Sequence, residues 1–100
     1  MQKLALINQR FIKAAQNNQI DELKNLLEQG ADIHADDDNA LRFAACYGYL
    51  EIVKLLVAQG ANIHADHDEA LRIAAYNGHL EVVKFLVTQG LIFMLMMVKP

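Results

Sequence analysis

One hundred residues, 54% apolar and 21% charged, are enough for one packed domain and too apolar for a disordered chain. The formal net charge of −3, with nine scattered Lys and Arg, argues against nucleic acid as a partner, because phosphate contacts need clustered cations. Cys46 is the single cysteine, so an internal disulfide is excluded and a reducing, cytoplasmic setting is expected.

The first segment, Met1 to Asn8, has a short apolar patch but not the long apolar run of a signal peptide. From Phe11 a pattern begins that returns twice. Residues 31–60 and 61–90 align without gaps and share 20 of 30 positions, which fixes a repeat of 30 residues. Residues 11–30 fit the same register more loosely, through Ala14, Ala15, Lys24, Leu26, Gln29 and Gly30. The units are therefore read as about 1–30, 31–60 and 61–90, followed by an atypical apolar tail, 91–100.

Each unit predicts two short helices. In the middle unit Asn39 is placed to cap the first helix and Ala40 to open it. Leu41, Ala44 and Ala45 share one face. Gly48 ends that helix because it tolerates the left-handed backbone of a C-terminal turn, and Asn18 holds the same place in the first unit. The second helix carries the stripe Leu50, Val53, Leu56 and Val57 and closes at Gly60. Glu51 and Lys54 complement its dipole, as do Asp21/Lys24 and Glu81/Lys84. Helices of roughly 8–10 residues do not persist alone in water, so they must stack. The alanine pairs at 14/15, 44/45 and 74/75 allow close approach, and the fold expected is an all-α solenoid of helix-turn-helix units.

These residues carry a family resemblance. The run Gly-Ala-Asp-Ile-His-Ala-Asp from Gly30, then Ala40-Leu41-Arg42 and Gly78-His79-Leu80-Glu81-Val82-Val83-Lys84, resembles the ankyrin repeat over about four-fifths of the chain. Short units with Ala-Leu-Arg are similar to the ankyrin arrays of giant DNA viruses of amoebae. The chain departs from the family pattern in three ways. Its period is 30 rather than the usual 33, which implies a shorter finger between units. Asn39-Ala40-Leu41-Arg42 and Glu69-Ala70-Leu71-Arg72 replace Thr-Pro-Leu-His. Leu91 to Pro100 lacks the polar face of a terminal cap, so it is expected to fold back, to pair with another chain, or to mark a shortened array. Its apolar run of eight residues, Leu91 to Val98, falls short of the ~20 a membrane span needs.

The resemblance implies a non-enzymatic adaptor or scaffold that holds another protein through its turn tips and the inner face of its first helices. Transferred onto this chain, those positions are Asp37, Asp38, Asn39, Cys46 and Tyr47 in one unit, and His67, Asp68, Glu69, Tyr76 and Asn77 in the next. Tyr47 and Tyr76 suit anchoring, since tyrosine offers area with few rotors. The acidic tips favour a basic partner. The same acids also serve simply to keep a surface wet, and the same tyrosines to pack. Arg42 and Arg72 are expected to bond between repeats, and His79 to be structural. His34, Asp36, His64, Asp66, His67 and Asp68 are potential metal ligands, but the repeat itself explains their spacing, so neither metal nor cofactor is expected. Cys46 has no base cued beside it, and no phosphate loop or hydrolase signature is present, so no enzyme is expected. The competing reading is a truncated or self-associating piece of a longer array, joined through residues 91–100.

Overall fold

A computed structural model describes residues 2–97, and all its regular elements are helices. They are α1 (Gln2–Gln16), α2 (Ile20–Glu28), α3 (Ala35–Tyr47), α4 (Leu50–Ala58), α5 (Ala65–Tyr76) and α6 (Leu80–Met97). The odd-numbered helices form an inner row, α1 against α3 against α5, and each even-numbered helix backs its own unit. The inner row is the closer packed because Ala14, Ala15, Ala44, Ala45 and Ala74 line it and are buried. Leu23, Leu26, Ile52, Val53, Leu56, Val82 and Leu86 fill the space between the rows.

The helix ends follow the glycine punctuation. Gly48 and Gly78 have φ of 76° and 75°, and Asn18 takes the same left-handed step at 56°. The next residue in each case returns its N–H to the carbonyl five residues back, as in Tyr49 to Ala44 at 2.9 Å and His79 to Ala74 at 2.9 Å. Gly30 and Gly60 end α2 and α4 in the same manner, with Ala31 and Ala61 donating to Leu26 and Leu56.

Three expectations change. The shortened finger between units is no hairpin at all. Asp36, Asp37 and Asp38 have φ of 53°, 55° and 58°, so they make a single left-handed turn, and Asp66, His67 and Asp68 repeat it. A left-handed residue costs about 1–2 kcal/mol, least for Asp and Asn. Arg42 offsets this cost by donating from Nε to the Asp37 carbonyl and from Nη2 to the Asp36 carbonyl, both at 3.1 Å. Arg72 does the same for His67 and Asp66. The right-handed part of α3 thus starts at Asn39, one residue before the expected opening at Ala40, so Asn39 lies within the helix instead of capping it. At the amino end, α1 begins well before the repeat register requires and spans 15 residues.

The third change is at the other end. Gly90 does not close the last helix, because α6 runs through it for 18 residues. The reason lies two residues on. In the earlier units Asp32 and Asn62 bend their own backbone by accepting the N–H of His34 and His64 at 2.9 and 3.0 Å. The matching residue here is Ile92, which has no acceptor, and the leucines and methionines around it favour helix. The tail as far as Met97 is therefore the second half of α6, and 98–100 lie outside the described residues. Gly90 now sits in a helix interior with nothing within 4 Å of an added Cβ. Gly90→Ala is expected to raise stability by about 0.5–1 kcal/mol in urea unfolding. A loss of stability would mean that the chain breaks at Gly90 in solution.

Candidate functional site

The inner row brings most of the sequence-predicted residues to one side of the stack. Tyr47 closes α3, and Phe43, one turn earlier, stacks on it with ring centres 6.2 Å apart and planes 7° from parallel. Tyr49, just past Gly48, meets the Tyr47 ring at 5.6 Å and donates its hydroxyl to the Gln16 carbonyl at 3.1 Å. Tyr47 is thereby held on two sides and still keeps 49% of its surface in water. Tyr76, at the end of α5, is 87% exposed. A large side chain with two rotors, mostly wet, retains its full contact area for a partner.

Cys46 and Asn77 are joined to each other. The Asn77 amide donates to the Cys46 carbonyl at 2.9 Å and lies 3.5 Å from its Sγ. His79 Nε2 donates to the same carbonyl at 2.9 Å, which places the ring proton on that nitrogen. Tyr49 to Gln16 and His79 to Cys46 are one inter-unit bond made by two different residue types thirty positions apart. The thiol of Cys46 is half-buried beneath this arrangement.

The turn residues divide. Asp37 and His67 project into solvent from left-handed backbone. Asn39 is half-buried. Glu69 accepts a 2.8 Å bond from Arg42 Nη1, and Asp66 a 3.2 Å bond from the same nitrogen, so Arg42 ties the second unit to the third. Arg72 makes no such bond to a carboxylate among the described residues. Asp38 is placed elsewhere than expected. It is 3% exposed, with one oxygen accepting the Asn62 N–H at 2.8 Å and both oxygens 3.0 Å from His34 Nδ1. It acts as a clasp between units, and Asn8 makes the corresponding bond to the Asp32 N–H at 2.7 Å. Asp68 pairs with His64 and is half-exposed, because Ile92, the counterpart of the Asn62 that donates to Asp38, lies within α6.

Phe43 and Tyr49 belong to the aromatic patch although the ankyrin pattern did not point to them. Phe43 was legible as the residue one helical turn before Tyr47, and Tyr49 occupies the place that His79 holds in the next unit. Among the described residues no three His, Cys, Asp or Glu side chains converge as metal ligands, and no helix is long and apolar enough to cross a membrane. The surface grooves are open; one, of about 420 Å³, runs between α6 and the 60–64 turn and is lined by Val57, Ile63, Ile92 and Met96.

No curated protein matched the chain. The family model described as ankyrin repeats in three copies matches residues 11–94. With helix pairs stacked in one direction, glycine-ended helices and side-chain clasps repeating between units, the chain belongs to the ankyrin-repeat family.

Proposed function

We propose that the chain is a non-enzymatic adaptor that holds a basic segment of another protein against Tyr47, Phe43 and Tyr76, with the acidic turns as a rim. Ankyrin repeats generally serve protein–protein interaction and are typically non-enzymatic. The observation that carries the reading is Tyr76, a large aromatic ring 87% in water at the end of α5, the helix packed against the one whose Tyr47 ring is already fixed by its neighbours. Rigid aromatics lose little entropy on binding, and such residues dominate interface energetics. Asp36 and Asp37 are exposed, and Asp66 and Glu69 share a single arginine, so the rim is net acidic and steers cations towards the face. Arginine on the partner would also stack favourably on the tyrosine faces.

The test is affinity capture with the full chain, followed by titration of the protein recovered. Replacing Tyr47 and Tyr76 together by alanine is expected to weaken that binding about 100-fold, since each truncated anchor costs roughly 1–2 kcal/mol. Asp37→Asn should slow association and flatten its salt dependence with little change in dissociation rate. Unchanged affinity in the double variant would move the interface off this face.

A further inference from the structure

Comparing the third unit with the second, position by position, shows what the end of the stack leaves open. Leu41, Ala45 and Val53 are buried, and Leu50 and Val57 half-buried, where α5 and α6 lie over them. Their counterparts Leu71, Ala75, Val83, Leu80 and Val87 are all more exposed, Leu80 reaching 67% and Val87 44%. On α6 the open stripe continues past Gly90 as Leu91 and Met94, both more than half exposed. Residues 91–94 are helical, so no further unit starts in register there to cover it.

The stripe reads the same in both directions. Counted outward from Val87, apolar residues stand four places away on either side, Val83 and Leu91, and seven places away on either side, Leu80 and Met94. A helix with that pattern is its own complement when turned end for end. Lys84, the one charge within the stripe, falls opposite Gly90, where nothing lies within 4 Å of an added Cβ. On α5, Asp68 and Arg72 stand one turn apart with opposite charge, so a twofold axis between them sets each against the other's counterpart.

We propose that this face seats a second copy of the chain in a twofold dimer, with α6 antiparallel to α6 of the second copy about an axis at Val87. Leu80, Val87, Leu91 and Met94 supply the exposed apolar surface for it, which suits an interface at the small end of the specific range. A head-to-tail stack fits worse. Arg42 reaches Asp66 and Glu69, but the first unit holds Leu6 and Gln9 at those places, so Arg72 would meet no carboxylate there.

Sedimentation of the full chain at micromolar concentration is expected to give twice the 11.2 kDa monomer mass. Val87→Glu sets two carboxylates together at the axis, and Val87→Lys two ammonium groups, so each alone should raise the dimer dissociation constant at least about 100-fold. Mixing the two variants should restore a dimer, because residue 87 meets only its own counterpart. Tyr47→Ala, on the other face, should leave the dimer intact, which separates this result from the adaptor reading. The proposal is overturned by a wild-type monomer, by a Val87→Glu dimer, by a mixture that stays monomeric, or by oligomers that grow with concentration as a head-to-tail stack would. Binding of monomer to phosphatidylcholine–phosphatidylserine vesicles in place of dimerisation would overturn it too.

Discussion

Replacing Leu56 by alanine should lower the unfolding free energy by about 2–5 kcal/mol, the range for a leucine truncated in a close-packed interior. Leu56 is fully buried at the centre of the stack, in the helix that backs the middle unit. Its carbonyl also receives the Ala61 N–H at 2.9 Å, so the residue holds both the interior and the turn that launches the third unit. The total stability of a domain of this length is ~5–15 kcal/mol, and 1 kcal/mol moves its midpoint by roughly 4–8 °C. The variant should therefore melt at least about 8 °C lower by circular dichroism. Position matters as much as chemistry. In a stack each unit is stabilised by its neighbours, so damage in the middle weakens two interfaces and damage at an end weakens one. Leu86→Ala, the same substitution thirty residues on, should cost less. A Leu56→Ala loss below half a kcal/mol, or a larger loss at Leu86, would mean the units do not share one core.

The contrast between what the sequence revealed and what it hid has a physical basis. The helix pairs and their ends were legible because glycine and alanine act locally. Gly48 and Gly60 end helices through their own backbone freedom, and Ala44 and Ala45 allow close approach through their own size. The left-handed turn at 36–38 was hidden because its stability comes from a side chain several residues away, the Arg42 guanidinium on two carbonyls. Asp38 was misplaced for a related reason. An aspartate in a turn ordinarily faces water, and the Asn62 N–H of the next unit, together with His34 Nδ1, satisfies this one inside. Glycines 30 and 60 predict a stop at Gly90 as well, yet the stop is completed by Asp32 and Asn62, and Ile92 cannot replace them. The aromatic patch was partly legible: Tyr47 follows from the repeat register and Phe43 from its place one helical turn before it, while Tyr49 joins them only once α3 is set beside its turn. Features carried by one residue were readable, and most of those that need a partner residue, in the same unit or in the next, were not.

Gly48→Ala tests one such two-unit feature. The left-handed backbone of Gly48, φ 76°, costs alanine about 1 kcal/mol by itself. A methyl group there would also stand 2.5 Å from His79 Nδ1 and 2.8 Å from two ring carbons, inside any tolerable contact. The imidazole has little room to retreat, since its Nε2 is bonded to the Cys46 carbonyl at 2.9 Å. Moving the ring gives up that bond, worth roughly 0.5–1.5 kcal/mol, and disturbs the seat of α6 on the second unit. The expected total is about 2–4 kcal/mol, measured by urea unfolding. Gly78→Ala is the internal control. It has nearly the same φ, 75°, but nothing within 4 Å of the added carbon, so it should cost only the backbone share. The difference between the two variants then isolates the ring. Adding His79→Ala to Gly48→Ala removes the clash, so the double variant should lose less than the sum of the single losses. If the losses at 48 and 78 prove equal, His79 does not cover Gly48 in solution, and the His79 bond to the Cys46 carbonyl goes with it.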